Sequence, residues 1–378
     1  MKKNILKNNG VQSLIASLIC ILLGLLIGYI VLLFIEPSGA GAAIVAVMKN
    51  FLTYSKATLQ LKNLGNTLVN TVPLLMCSLS ILFAYKVGLF NIGAAGQYCA
   101  GAAACLYAAL AWHWSWIACL LFAVVISAAM GAIVGVLKAY CNVNEVISGI
   151  MLNWIALYTT NMLLSLVKDS TQPYTLYIKD VNPGALLPTL GLGNLFAKNE
   201  YVGIALPVAV ILAFAVQIVL ERTKFGYELR ATGNNKNAAK YCGMAEKRNI
   251  ILTLVIAGAL AGLGAALMYQ TGYTRWETSQ SSVPAMGFNG IAAAFLGGLN
   301  PIGAIFSSFF IQHITFGGAY VDKSVYCSQI SDLISSIIIY LCGFVLFIKY
   351  VMNTGIARSE EKKAQKLKEA AMKEGGEQ

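Results

Sequence analysis

Long apolar runs alternate with short polar breaks along almost the whole chain. A helix needs about 20 apolar residues to cross the hydrocarbon core of a bilayer, and there it satisfies its own backbone hydrogen bonds. The runs cover residues 11–35, 68–86, 91–112, 114–138, 145–167, 201–221, 249–270, 285–299, 301–319 and 328–350. The pattern predicts an all-α polytopic membrane protein with about ten membrane helices, of which the glycine-rich run at 285–299 is the shortest.

The breaks between the runs divide the chain into four parts. Residues 1–36 form an N-terminal tail and a first membrane helix, whose apolar run is too long for a signal peptide, so we expect no cleavage. Residues 37–67 are amphipathic and are predicted to lie at the external surface. Residues 68–351 form the helical core, which includes a polar segment at 222–248 and an external loop at 168–200. Residues 352–378 form a charged tail.

Composition agrees with a membrane protein. Only 11% of the 378 residues are charged, against roughly 25% in soluble domains. The formal charge is +11, and the largest basic cluster is segment 222–248, with seven Lys and Arg against two Glu; basic loops stay on the cytoplasmic side. We therefore predict a multi-pass protein of the cell membrane with both termini in the cytoplasm, and no nucleic-acid partner.

The chain offers no pattern typical of an active site. Six of its nine cysteines lie in apolar runs and three lie near run ends or in loops, without a Cys-x-x-Cys pair, and its two histidines lie far apart. Such cysteines are usually small core residues. No Gly-Lys dipeptide occurs anywhere, so the chain has no Walker-type phosphate loop. We predict no catalytic residue, no metal site and no cofactor.

The polar stretch Gly226–Met244, "GYELRATGNNKNAAKYCGM", lies between two apolar runs. Asn234 and Asn235 are good helix N-caps, and Gly243 suits the left-handed position after a helix. The helix between them is too short to be stable alone. Two interpretations remain at this point: the helix docks into a groove on another protein, or the stretch is an ordinary solvated loop.

This stretch resembles the ATPase-coupling region of ATP-binding-cassette (ABC) importer permeases of the branched-chain amino acid, ribose and nucleoside group. Their pattern, roughly G-x-x-x-R-A-x-G-x-N-x-x-A-A-x-x-x-G, is present at residues 226–243. The resemblance implies a fold like that of type II ABC importer permeases, with one cytoplasmic coupling helix. The positions it assigns to ATPase coupling are Gly226, Glu228, Arg230, Ala231, Gly233, Asn235, Ala238, Ala239 and Gly243.

Three further stretches resemble the nucleoside and simple-sugar permeases of this group. They are "VGLFNIGAAGQ" at 87–97, "VNEVISGIMLNWIA" at 143–156 and "GFNGIAAAFLGGLNPIGAIF" at 287–306. Ala95 replaces the usual Glu of these permeases, and Trp154 replaces a common Tyr. The resemblance implies three partners: a cytoplasmic ATPase that binds ATP and Mg, a second permease subunit, identical or similar, and an extracytoplasmic lipoprotein that binds the solute.

Two glycine-rich stretches, residues 88–95 and 287–294, share a Gly, an aromatic residue and an Asn in similar order. They open the third and the eighth predicted spans, which predicts an inverted repeat with a broken helix in each half. Transporters often place their binding sites at such broken helices. Amides could bond a polar solute and aromatic rings could stack on it. An alternative is helix packing, with amides bonded across helices. The predicted pathway residues are Phe90, Asn91, Gln97, Asn153, Trp154, Phe288 and Asn289.

Ionisable residues are scarce in the middle of the predicted spans. Buried charges usually mark ion-coupled transport, so their scarcity favours a neutral solute and an ATP-driven machine. We predict an importer permease for nucleosides, with ribose-like sugars as the alternative. An ion-coupled secondary carrier and an integral membrane enzyme are weaker hypotheses, because each would need titratable groups deep in the membrane.

Overall fold

The computed structural model describes residues 9–322, 325–326 and 330–355, together with positions 358, 361 and 365. This part of the chain is helical, apart from turns, short 3₁₀ helices and two isolated β-bridges. Its helices are α1 (Asn9–Ile35), α2 (Ala40–Lys49), α3 (Ala57–Lys86), α4 (Ala94–Leu110), α5 (Trp116–Cys141), α6 (Glu145–Leu164), α7 (Ile178–Val181), α8 (Ala205–Arg222), α9 (Lys224–Asn234), α10 (Lys236–Tyr241), α11 (Glu246–Tyr269), α12 (Ala285–Leu296), α13 (Pro301–Gly317) and α14 (Ile330–Cys342).

The predicted fold class is confirmed. Within the described residues, seven helices are long and apolar enough to cross a membrane, namely those of α1, α3, α5, α6, α8, α11 and α13. The other three predicted spans, 91–112, 285–299 and 328–350, correspond to the shorter helices α4, α12 and α14. After α14 a turn at residues 343–344 leads into a further helical stretch at 345–355. Most of the predicted charged tail lies outside the described residues.

One predicted boundary is wrong. The second span begins at Ala57 rather than at residue 68, so the segment 37–67 is divided between α2, a 3₁₀ turn and the first turns of α3. The polar residues of 57–67 hid this helix. Most of them are exposed or half-buried, and near Gly65 the helix packs against the loop residue Asn199. A β-carbon at Gly65 would lie 2.8 Å from the Asn199 amide, and that amide donates to the Lys62 carbonyl at 2.9 Å.

Helices α3 and α11 form the centre of the bundle and run in opposite directions. The end of α3 and the start of α11 both meet α9, through Gly88 beside Gly233 and through Asn249, whose amide donates to Thr232. We call this the α9 end of the bundle. The opposite end, which carries loops 168–200 and 270–284, is called the loop end. Within α3, 94% of its most apolar 18-residue window is buried, so this part of the helix is enclosed by protein, whereas its first turns are exposed.

Helices α4 and α12 are half-helices that begin inside the bundle. The chain leaves α3 at the α9 end, turns back inward, and starts α4 beside Ser80 of α3 and Asn153 of α6. Helix α12 starts where Gly287 packs on Ala95, and it ends at the α9 end, where Phe295 meets Tyr85. The order α3–α4–α5 therefore recurs as α11–α12–α13 with every direction reversed, which is the arrangement that an inverted repeat requires.

The two long loops are joined at the loop end. Arg275 lies over the rings of Tyr177 and Tyr174, at 4.0 and 5.1 Å, and pairs with Asp169 at 3.4 Å. The backbone and hydroxyl of Thr171 donate to the Asp169 carboxylate, and together with Arg275 they hold its pKa below the ordinary value. Trp276 is buried and donates to Asn161 of α6 at 2.9 Å. The loop leading into α12 is thus fixed to α6 and to the 168–182 segment.

Close contact between α5 and α11 generates the first prediction. A β-carbon at Gly131 would lie 2.1 Å from the Leu254 carbonyl oxygen, so the two backbones touch. Overpacking of this kind costs about 1–3 kcal/mol. We expect Gly131→Ala to lower the melting temperature of the purified protein in detergent. Gly41→Ala is the matched control, because nothing lies within 4 Å of that position; equal melting temperatures for both variants would contradict the packing described here.

Candidate coupling and transport sites

Segment 222–248 folds into two helices rather than the single helix that the sequence predicts. Helix α9 begins after Thr223, whose hydroxyl accepts the Gly226 N–H at 3.0 Å and donates to the Val219 carbonyl. A β-carbon at Gly226 would lie 2.0 Å from the same Val219 carbonyl, so the first turn of α9 lies directly on α8. Gly226 therefore permits a sharp turn between two helices of this chain.

Helix α10 has the ends that the sequence predicts. The Asn235 side chain accepts the Ala238 N–H at 3.0 Å, and Gly243 has a φ of +76°, so the predicted cap and the predicted left-handed glycine are both confirmed. Asn234 is instead the last residue of α9. These local signals were sufficient for α10 because a two-turn helix depends almost entirely on how its ends are satisfied.

Several residues assigned to ATPase coupling face the chain itself. Gly226 and Ala239 are buried, and a β-carbon at Gly233 would lie 2.3 Å from the Val87 carbonyl carbon and oxygen. Arg230 is half-buried, as are Ala231 and Glu228, and Glu228 pairs with Arg248 at 3.6 Å. Gly226, Gly233 and Ala239 therefore allow α9 and α10 to pack on the bundle, and their assignment to ATPase coupling stays a prediction. Asn235, Ala238 and Gly243 are exposed as predicted.

Tyr241 is the residue that sequence reasoning missed. It is the last residue of α10, and 93% of it is exposed, the highest value among the exposed large apolar side chains of the described residues. Lys236, Lys240 and Cys242 are exposed around it. A solitary aromatic residue in a basic two-turn helix was a usable signal, because exposed aromatic residues are enriched at binding hot spots. We call the exposed surface of α10, residues 235–238 and 240–243, the α10 knob.

The α10 knob is connected to the broken helix in the interior. Helix α9 carries Gly233 against Val87 and Gly88, the first residues after α3. Gly88 has a φ of +75°, and a β-carbon there would lie 2.9 Å from the Gly233 carbonyl, so only glycine allows this turn and contact together. Helix α9 is therefore packed directly on the segment that leads from α3 into α4.

Inside the bundle, two predicted pathway residues bond to each other. The Asn91 amide donates to Gln97 Oε1 at 2.8 Å and to Ser80 Oγ at 2.9 Å, and Gln97 donates back to Asn91 at 3.3 Å. Ser80 in turn donates to the Ala257 carbonyl of α11. Asn91 and Gln97 are 2% and 0% exposed. These amides hold the break between α3 and α4, and their bonding capacity is used within the chain.

Asn153 supplies the cap that α4 lacks. The residue before α4, Gly93, has no side chain to accept the free N–H groups of the first turn. Asn153 of α6 accepts the Gly96 N–H at 2.8 Å and donates to the Ile92 carbonyl at 3.0 Å, and it is 1% exposed. In this conformation Asn91, Gln97 and Asn153 therefore form hydrogen bonds within and between packed segments of the chain, which is the alternative to solute binding.

The aromatic pathway residues are not brought together with these amides. Trp154 is 43% exposed and stacks on Tyr158 along the outer face of α6, whereas Phe288 is 39% exposed on α12. Phe90 is half-buried. Asn289 is half-buried too, and the described residues give it no hydrogen-bond partner. Within one chain, Trp154 and the pair Phe288–Asn289 thus line outward-facing surfaces.

The architecture defines a polytopic membrane permease: a helical bundle with two broken helices and an exposed short helix at one end. The family model for "Branched-chain amino acid transport system / permease component" matches residues 63–343, and the chain belongs to this family of ABC transporter permeases. The match extends from the first turns of α3 to the end of α14 and so covers both half-helices and the α10 knob.

Three relatives illustrate the range of the family. The chain is 31% identical to the nucleoside ABC transporter permease NupB of Lactococcus lactis, over 97% of this chain and 99% of the relative. It is 31% identical to the guanosine ABC transporter permease NupP of Bacillus subtilis, over 76% and 83%. The glucose ABC transporter permease TsgB13 of Haloferax volcanii is 28% identical, over 78% and 79%. None of the solved structures matches the chain.

The cap on α4 generates the second prediction. Asn153→Leu should leave the Gly96 N–H and the Ile92 carbonyl buried without partners, at a cost of about 1–3 kcal/mol for each group. We expect a clear drop in melting temperature. Trp154→Leu, at the next position but exposed, should leave the melting temperature near that of the unsubstituted protein. If the two variants melt alike, Asn153 does not hold the break.

Proposed function

We propose that this chain is the membrane-spanning subunit of an ATP-driven importer that moves nucleosides into the cell. In this proposal it lies in the cell membrane with the α9 end in the cytoplasm and the loop end outside. The excess of basic residues in segment 222–248 supports this orientation, because such segments stay on the cytoplasmic side. Alternating access is driven by a separate ATPase, which binds the ATP and Mg.

The observation that carries the proposal is the α10 knob together with its connection to the interior. An exposed helix with a projecting tyrosine is suited to seat in a cleft of a partner protein. Through Gly233 on Gly88, its displacement would reach the broken helix α3–α4. A partner can drive a transporter only by favouring one of two conformations. A short helix that is packed, through α9, on the break between α3 and α4 would transmit that preference to the interior.

The positions of the ionisable residues favour a neutral solute. The ionisable residues of the long helices lie near their ends, as with Lys138 and Glu145, which pair at 2.7 Å. Ion-coupled carriers need such groups at mid-depth. The nucleoside permeases NupB and NupP, each 31% identical, favour nucleosides. Sugars are the second candidate, because the glucose permease TsgB13 is 28% identical over 78% of this chain.

The solute path is proposed to form between two permease subunits. Asn91, Gln97 and Asn153 are bonded within the chain, so they act by holding the break. The outward faces carrying Trp154, Phe288 and Asn289 are available to line a shared path, where an aromatic face could stack on a base and a free amide could bond it. A lipoprotein that binds the solute would deliver it at the loop end.

Tyr241 generates the third prediction, which tests the coupling role. Tyr241→Asp places a charge where the proposal puts a desolvated aromatic anchor, and truncation of such anchors costs about 2 kcal/mol or more. We expect the variant to lose about tenfold or more of its affinity for the ATPase, measured by co-purification and by solute-stimulated ATP hydrolysis in proteoliposomes.

Two variants serve as controls for this test. Tyr241→Phe keeps the ring and should bind the ATPase nearly as well as the unsubstituted chain. Asn237→Ala removes an exposed polar group from the same helix and should have little effect. Retention of the ATPase by Tyr241→Asp at the unsubstituted level would remove α10 from the interface and with it the proposed coupling.

The cargo is tested separately. Reconstituted with its ATPase and binding protein, the chain should take up labelled guanosine, and unlabelled nucleosides should compete while glucose and ribose do not. Competition by sugars alone would transfer the assignment to the sugar branch of the family. Uptake in vesicles that lack the ATPase would contradict the ATP-driven mechanism itself.

A further inference from the structure

A groove between α4, α5 and α6 has a volume of about 460 Å³. Its size falls in the range of ligand pockets. Alanines of α4 form the floor, at positions 100, 103 and 104, and Ala156 extends the floor on α6. Small side chains in these places leave the groove open towards the outer surface of the bundle rather than filling it.

The lining is almost entirely apolar. Two threonines of α6 contribute hydroxyl groups, and that of Thr160 donates to the Cys99 carbonyl at 3.2 Å. Tyr107 and Trp112 lie at one end, close to the turn between α4 and α5. A nucleoside or a sugar would lose most of its hydrogen bonds in such a groove. The ligand that fits is a flexible hydrocarbon chain.

The position of the groove indicates where that chain comes from. Trp112 and Trp114 meet each other at 5.0 Å and both contact Phe122, forming an aromatic cluster at the loop end of α5. Such clusters mark the membrane–water boundary. The lining then follows α5 from Phe122 to Ile133, about 16 Å of helix. This is half of the roughly 30 Å hydrocarbon core, the depth of one leaflet.

We propose that the groove binds one acyl chain of a membrane phospholipid from the leaflet at the loop end. The headgroup would lie beside Trp112 and Trp114, while the chain packs over the alanines of α4 and against Met130 of α5. Because α4 is a half-helix held by a few hydrogen bonds, the lipid chain completes the packing on its outer side. The bound lipid is a structural ligand and does not depend on which solute the protein carries.

A photo-reactive amino acid at Ile155 tests the proposal. Ile155 lines the groove and is 58% exposed, so its replacement is tolerated by the fold. After irradiation of the full-length protein, assembled with its partners in membranes, we expect a mass increase equal to one phospholipid. Ala100→Phe on the floor, and the milder Ala104→Leu, should lower the adduct yield by about tenfold and by a smaller factor, since a filled groove binds weakly.

Leu121→Phe is the matched control, because Leu121 is exposed on α5 outside the groove. Its adduct yield should equal that of the parent. The proposal is overturned if the adduct from Ile155 is a second protein chain, which would make the groove a subunit interface. It is also overturned if the phospholipid adduct is equally abundant in Ala100→Phe, Ala104→Leu and the parent.

Discussion

A backbone that leaves its helix inside a membrane protein needs new hydrogen-bond partners, and this constraint organises the molecule. Between α3 and α4 the chain turns back into the bundle, where water cannot satisfy its amides. Asn153 bonds both the carbonyl of Ile92 and the N–H of Gly96, and Asn91 bonds Gln97 and Ser80. Without these side chains, α4 would have no stable place to begin. The half-helix can begin there because Ser80 of α3, Asn153 of α6 and the Asn91–Gln97 pair supply hydrogen-bond partners at the break.

The same break is also the place where α9 contacts the interior of the bundle. A continuous helix resists bending, whereas a turn held by a few side chains can take a second arrangement at modest cost. Helix α9 contacts this turn through two glycine backbones, Gly233 and Gly88. At the other end, Arg275 pairs with Asp169 and lies over two tyrosine rings, which holds the loop that leads into α12. The segments leading into the two half-helices are thus contacted at different ends of the bundle.

Much of this could be predicted from the sequence, and the rest fails for definable reasons. Apolar periodicity located the long helices, and Asn235 and Gly243 located α10, because these signals are local. The direction of side chains was not predictable. Gly233 and Ala239 pack inward while Tyr241 points out, and which face of a short helix docks is decided by tertiary contacts. Likewise the sequence does not distinguish whether the amides of Asn91 and Asn153 bind solute or bond to other helices, because their partners are distant along the chain or set by the turn.

The contact between Gly287 and Ala95 has a consequence for how the two halves move. At this point the first turns of the oppositely directed half-helices touch, with no room for a side chain on Gly287. Because the two half-helices touch where they begin, tilting one of them must displace the start of the other. A side chain at Gly287 would have to displace the Ala95 backbone, so a change at the start of one repeat would be transmitted to the start of the other.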